Sequence, residues 1–306
     1  MDRKSFEEAK ELMKIWGAFR ASRVLLTANN YRIFDHFSKP QSVKAVSQKL
    51  KTDIRATEIL LDSLTGIGLL KKHNRKYLNT PLASKFLVKG SKYYQGNIIK
   101  HADSLWLNWS ALDDVLKTGK PSRKAHDHSA FILGMDNLAI FKAKDVIKEI
   151  GLKGVRTALD LGGGPGTYAI EMAKKGVSVS LLDRPETVEI AKKVTGKAGV
   201  DIRFIEGDFL YDDIGHGYDL IFASQILHSN STENNISLLK KCREALNTGG
   251  MIAIQEFLIS DDRTQPMPGA LFSVNMLVNT EGGRCYSPNE MKAWLVKTGF
   301  KKPAKK

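Results

Sequence analysis

The stretch TALDLGGGPGTYAIEMAKKG, residues 157–176, limits what this chain can fold into more than any other feature. An apolar run ends at Asp160, glycines stand at 162, 163, 164 and 166, and a helical pattern resumes directly after them. Glycine turns sharply and lets a ligand come against the backbone. A strand, this loop and a helix N-terminus together predict a nucleotide or cofactor cradle in a parallel α/β sheet. The acid before the glycines narrows the ligand. A dinucleotide site sets loop amides and a helix dipole against a pyrophosphate, and a carboxylate at the strand end sits poorly beside those phosphates. Asp160 suits a ligand that carries a cation or an amine.

Two further acids define the rest of the cradle. Asp183 ends the β-branched run VSVSLLD, one helix beyond the glycine loop, where a carboxylate accepts the hydroxyls of a ribose. In IRFIEGDFL, Gly207, Asp208 and Phe209 end another strand and supply an acid for an adenine amine and an aromatic ring for its face. Phe209 reads equally well as core. Asp160, Asp183 and Asp208 on three strand ends around one crevice predict S-adenosylmethionine. Its sulfonium and α-ammonium are the cations, and its adenosine half needs the glycine turn.

The chemistry is expected beyond the fourth strand, because ligands in such sheets bind at the carboxyl ends of strands. That strand, YDLIFASQILHS, delivers His228 just past its end. An imidazole with a free pKa of about 6.5 takes a proton from an acidic hydroxyl as its oxygen attacks a methyl group. A carboxylate on the other ring nitrogen would hold the correct tautomer. Glu256, an acid inside the apolar strand MIAIQEFLI, is the first candidate; Glu281, in VNTEGGRCY, is the second, and it also reads as a brace for the Gly282–Gly283 turn. Trp106, Phe131 and Met135, with Phe272 and Met276 further on, have the helical spacing of either a substrate pocket wall or plain core.

At 306 residues the chain is long enough for two domains, assigned to 1–100 and 101–306. With 42% apolar and 26% charged residues it reads as a soluble globular protein. The N-terminus has neither a signal-peptide pattern nor a membrane span, and the two cysteines, Cys242 and Cys285, make no disulfide framework. A cytoplasmic setting without a metal is expected. The net charge of +14 raises nucleic acid as a partner, and residues 1–150 hold 27 basic against 15 acidic side chains. That half also carries a helix-turn-helix pair through VSQKL and RATEILLDSLTGIGLL, then a hairpin wing, LLKKHNRKYLNT, bearing Lys71, Lys72, Arg75 and Lys76. Glu58 and Asp62 on the second helix oppose phosphate. The apolar helices before it, in ELMKIWGAFRASRVLLTANNYRIFDHF, read as surfaces for a second copy of the chain. A homodimer is expected, and nucleic acid and membrane are not.

The segments DLGGGPG, LLDRPETVEIAKK, EGDFL, ASQILHSNSTENNISLLKKCREAL, NTGG and VNTEGGRCYSPNEMKAWLVKTGF resemble the two-domain class I S-adenosylmethionine-dependent O-methyltransferases of the hydroxyindole and caffeate type. The resemblance covers nearly the whole chain. It implies a Rossmann-like methyltransferase sheet behind a winged-helix dimerisation domain. It further implies that Gly162 and Gly164 contact the cofactor, Asp183 binds its ribose, Asp208 and Phe209 bind its adenine, His228 is the base and Glu256 supports it. The chain departs from the plant members at Ser229 and Asn230, where they usually have Asp-Trp, at Cys285, where an acid is usual, and at Ser224, near the adenine, where lysine is frequent. It looks closer to bacterial and archaeal members. The family fold continues after AWLVKTGF with a last β-hairpin, whereas KKPAKK follows here, so a shorter sheet with strand five at its edge is expected. The best reading is methyl transfer to a hydroxyl of a small aromatic acceptor. The alternatives are C-methylation of a larger ring, or a cofactor-binding winged-helix regulator without turnover.

Overall fold

The computed structural model describes residues 2–122, 124 and 126–305, and the chain divides into two compact units, the first ending at Asp103 and the second starting at Ser104. In the first unit the helices Val43–Leu50 and Ile54–Gly66 start where side chains can satisfy their free amides. Ser42 Oγ accepts from Ala45 N and Asp53 Oδ1 accepts from Ala56 N at 2.7 Å. Three short strands, β1 (Gln41–Ser42), β2 (Leu70–His73) and β3 (Lys76–Asn79), pair antiparallel in the order β1-β3-β2, and β2 with β3 forms a hairpin over the LLKKHNRKYLNT segment. The β2–β3 connection turns at Asn74 and Arg75, both with positive φ, as a two-residue hairpin turn requires. Phe34, Phe37, Leu61, Leu64, Leu70 and Tyr77 are buried together beneath these elements.

Lys72 of the hairpin is paired within the unit. Lys72 Nζ donates to Asp62 Oδ1 at 2.7 Å and lies 3.8 Å from Glu58, and Tyr77 Oη donates to the same Asp62 oxygen at 2.6 Å. The hydrogen bond to Asp62 raises Lys72 above its ordinary pKa. The carboxylates on the helix Ile54–Gly66 hold Lys72 of the hairpin, so that one of its four basic side chains is paired inside the unit.

The second unit is built on five parallel strands, β4 (Thr157–Leu161), β5 (Ser178–Asp183), β6 (Arg203–Glu206), β7 (Tyr218–Ser224) and β8 (Leu246–Gln255), in the order β6-β5-β4-β7-β8. Side chains alternate across a strand, so a sheet covered on both faces needs near-continuous apolar runs. Leu159, Leu161, Ile221 and Ala223 enter one core, and Ala158, Leu220, Phe222 and Leu181 enter the other. The helices Thr167–Ala173, Pro185–Gly196 and Thr232–Ala245 follow β4, β5 and β7. The chain builds outward from β4 through β5 to β6, then returns to the other side of β4 for β7 and β8. This reversal opens a crevice at the carboxyl ends of β4 and β7, where ligands bind in open α/β sheets. β8 lies at the edge of this sheet. Among the described residues no helix is long and apolar enough to cross a membrane, and no group of three His, Cys, Asp or Glu side chains is placed to hold a metal ion.

Candidate active site

The glycine loop closes against β5 and leaves one wall open. Gly162 N donates to Leu182 O at 2.9 Å, and Gly162 has φ +64°, with a Cβ there only 2.7 Å from Ile226 Cγ2. A side chain at 162 would therefore meet both backbone strain and a clash. Gly164 faces open space, and its N–H donates to Asp183 Oδ2 at 2.8 Å. The other Asp183 oxygen accepts from Arg184 N at 2.8 Å. Burial pushes the Asp183 carboxyl up, and these amides pull it back.

Asp160 lies beneath the loop. It is 1% exposed, its Oδ2 accepts from Ala169 N at 3.1 Å, and a Cβ on Gly163 would lie 2.9 Å from its Cγ. The loop seals the carboxyl in, where it braces the start of the helix Thr167–Ala173. Burial pushes it up to about 7, with the Asp183 charge adding to the rise and the Ala169 amide opposing it. A cation in the open space nearby would favour its ionised form.

Beyond β6, Gly207, Asp208 and Phe209 begin a tight turn. Asp208 Oδ1 accepts from Leu210 N at 2.9 Å, and Asp208 N donates to Asp212 Oδ2 at 2.7 Å. The Phe209 ring packs on the core beside Gly162, whose Cβ position is 3.3 Å from it, so one ring serves the core and borders the loop. Lys241, which the sequence reading missed, clamps this turn: its Nζ donates to the carbonyls of Phe209, Leu210 and Asp212 at 3.0, 3.1 and 2.7 Å. Ser224 is held within the sheet, donating to Gln255 Oε1 at 2.9 Å across the β7–β8 pair.

His228 sits in the single turn Leu227–Ser229 beyond β7, 8% exposed. Its Nδ1 is 2.6 Å from Glu256 Oε2, and Glu256 Oε1 accepts from Leu227 N at 2.7 Å. Glu256 follows the last residue of β8, with its side chain 4% exposed. A carboxylate that only accepts places the proton on Nδ1 and leaves Nε2 as the basic nitrogen. Glu281 is exposed in its loop, and the turn after it lies against His228. A Cβ on Gly283 would run into the His228 carbonyl, so the glycine lets that loop lie on the backbone carrying the imidazole.

Of the residues expected in the acceptor wall, Phe272 lies edge-on to the His228 ring with centroids 4.9 Å apart. Phe257, not anticipated from the sequence, lies against Phe272 with centroids 4.3 Å apart and the rings tilted by 38°. Trp106, Phe131 and Met135 are half-buried, and Met276 is buried. Trp109 Nε1 donates to Asn275 Oδ1 at 2.9 Å and Asn108 Nδ2 to Asn279 Oδ1 at 2.7 Å, tying two aromatic-bearing helical segments together.

Comparison with known proteins places this geometry. The O-methyltransferase domain family matches residues 117–301 and the O-methyltransferase dimerisation domain matches residues 13–89. The chain is 31% identical over 269 residues to 3-hydroxy-5-methyl-1-naphthoate 3-O-methyltransferase of Streptomyces sahachiroi, covering 83% of this chain and 78% of that one. It is 30% identical over 292 residues to acetylserotonin O-methyltransferase of Gallus gallus, covering 86% and 84%. Among solved structures, human N-acetylserotonin methyltransferase in complex with S-adenosylmethionine superposes with a TM-score of 0.88 at 26% identity, over 98% of this chain and 94% of that one. A buried acid beneath a glycine loop, a second acid at the adjacent strand end and open space at Gly164 fit the cofactor seen in that relative. The chain thus belongs to the O-methyltransferase family, as an enzyme that uses S-adenosylmethionine.

Proposed function

We propose that the enzyme methylates a hydroxyl of a small planar aromatic acceptor, with His228 as the general base and Glu256 as its support. The observation that carries this reading is the 2.6 Å contact between His228 Nδ1 and Glu256 Oε2, beside the rings of Phe272 and Phe257. Bound S-adenosylmethionine supplies the methyl group, made electrophilic by the positive charge on its sulfur. Gly162, Gly164, Asp183, Asp208 and Phe209 would hold it, with Asp160 favouring its positive charge from beneath the loop. His228 Nε2 takes the acceptor's hydroxyl proton, and the Glu256 carboxylate stabilises the imidazolium that results. Phe272 and Phe257 offer an apolar aromatic boundary that would orient a ring whose hydroxyl points at the imidazole. The relatives named for a hydroxynaphthoate and for acetylserotonin act on aromatic hydroxyl compounds, which favours the same class here.

The test is turnover against a panel of phenolic acceptors, paired with calorimetric titration of S-adenosylhomocysteine. His228→Ala should lower kcat by about 10²–10⁴-fold, a general-base contribution, with cofactor affinity kept. Glu256→Gln keeps an acceptor for Leu227 N but removes the charge that steadies the imidazolium, so its kcat should also fall. Turnover of His228→Ala close to wild type would remove the base assignment.

We further propose a homodimer formed through the N-terminal unit. The helix Arg3–Gly17 buries none of its residues within the chain, and Phe6, Leu12, Ile15, Trp16 and Phe19 are exposed. A winged-helix unit serving DNA has less support, since Lys72 is spent on Asp62 and Glu58.

A further inference from the structure

The turn that carries His228 is held by more than Glu256. Leu227–Ser229 is a single turn of three residues, too short to be stable on its own hydrogen bonds, and the chain enters it through Gln225, whose φ is +61°. Three buried side chains grip its backbone. Asn235, in the first turn of the helix Thr232–Ala245 and 0% exposed, donates from Nδ2 to Leu227 O at 2.9 Å. Asn230 Nδ2 donates to Ile226 O at 3.0 Å, and Tyr286 Oη donates to Asn230 O at 2.6 Å. A carbonyl only accepts, so the Asn235 nitrogen must face Leu227. Its Oδ1 is then buried with no donor among the described residues, a cost that an apolar side chain of the same shape would not carry. The Leu227 carbonyl also accepts from Asn230 N at 3.1 Å, so it is satisfied without Asn235. What Asn235 adds is placement.

We propose that Asn235 is a positioning residue for the base, its carboxamide fixing the Leu227 carbonyl and through it the direction in which His228 presents Nε2. The inference rests on the reading of His228 as the general base. The Leu227 carbonyl belongs to the planar peptide unit that ends at the His228 Cα. Leu227 N, one unit earlier, is taken by Glu256 Oε1 at 2.7 Å, and Glu256 Oε2 takes the ring at Nδ1. A ring held at one nitrogen can still swing about that contact. Fixing the peptide unit behind its Cα removes this swing, and proton transfer depends on such alignment. The helix that supplies Asn235 is rigidly seated, with Leu238, Leu239 and Cys242 buried in the core, so the base is tied to a packed element as well as to the end of β8.

The experiment uses the full-length protein carrying Asn235→Leu, which keeps nearly the same shape without the polar atoms. Proton NMR follows the His228 Nδ1 proton, a downfield resonance identified by its absence from His228→Ala. In Asn235→Leu that resonance should shift or broaden and kcat with phenolic acceptors should fall about tenfold, while KM and S-adenosylhomocysteine affinity stay within about twofold. The melting temperature should hold or rise, because the orphaned oxygen is gone. Asn247→Ala is the control for a purely structural loss. At the amino end of β8 its Nδ2 serves Gly217 O and Asp219 Oδ1, so it should lower the melting temperature with the resonance and kcat unmoved. An unmoved resonance in Asn235→Leu, or a lowered melting temperature with equal losses in kcat and cofactor affinity, would overturn the proposal. His228→Ala separates the proposal from the reading beneath it. Turnover near wild type there, or no such resonance in the wild type, would remove the base and the inference with it; lost turnover there beside an unaffected Asn235→Leu would remove the inference alone.

Discussion

At the residue scale the most consequential group is Asp160, because its cost and its use have one origin. Burial raises its carboxyl from the ordinary 3.8 to about 7. In the unfolded chain the proton leaves near the ordinary value, whereas the folded chain keeps it until about pH 7. Between those values the folded state binds more protons than the unfolded one, so the stability linked to Asp160 falls as pH rises from about 4 to 7 and is level above that. Asp160→Asn has no proton to lose and still offers an oxygen to Ala169 N. It should gain on the order of 1–3 kcal/mol over wild type at pH 8, with the gain gone by pH 4, and it should bind S-adenosylmethionine more weakly. Urea midpoints at the two pH values with a cofactor titration check this; an equal gain at both would mean the raised carboxyl is not the cause. The residues of this site were unevenly legible. Asp160, Asp183, His228 and Glu256 could be read from acids and a base at strand ends, since strand polarity alone puts those positions at one rim. Burial of Asp160 under Gly163 could not, because it depends on how far the loop folds back. Phe257 escaped for a related reason: an aromatic after a strand reads as core until the ring next to it, Phe272, is known.

At the element scale, the turn after β6 is held from outside itself. Within it the Asp208 carbonyl accepts from Tyr211 N and Asp212 N, and the Lys241 ammonium from the helix Thr232–Ala245 gathers the carbonyls of Phe209, Leu210 and Asp212. A point charge with three donors suits such a cluster, and it is stronger than three neutral bonds would be. In sequence Lys241 belongs to KKC on an amphipathic helix, a pattern of a solvated face, so nothing local marked it. Lys241→Met keeps the stem and removes the donors. It should raise the dissociation constant for S-adenosylhomocysteine by about 3–10-fold, since the turn carries Asp208 and Phe209, and leave kcat at saturating cofactor within about twofold. A loss in kcat with unchanged affinity would mean the turn serves the acceptor side. The larger elements were read more reliably than this clamp. The hairpin of β2 and β3, the capped helix Ile54–Gly66 and the parallel strands each carry local signals, a turn, an N-cap or an apolar run, that act within about ten residues.

At the scale of the whole molecule, the N-terminal unit asks for a partner. The helix Arg3–Gly17 has 15 residues and none is buried, although Ile15 is 76% and Trp16 52% exposed. Helices of this length are marginal in water without tertiary contacts, and their stability comes from burying an apolar face. Asp2 caps it through Ser5 N, and lysine–glutamate pairs line its polar side, but surface pairs contribute little. The match of residues 13–89 to a dimerisation domain starts inside this helix and continues through Phe19–Asn30. A second copy of the chain laying its own apolar helix on this one would supply the missing burial, and the two-fold pairing of identical patches needs no other partner. The expected outcome is a dimeric mass by light scattering at micromolar concentration. Ile15→Asp with Trp16→Asp should shift it to a monomer and lower the far-ultraviolet helical signal, because a helix that loses its cover has little reason to stay folded. The dissociated chain should retain cofactor binding if the second unit folds by itself, which a titration of the monomeric variant reads directly. A wild-type monomer with that helical signal intact would show that the apolar face is stable uncovered and would end the dimer proposal.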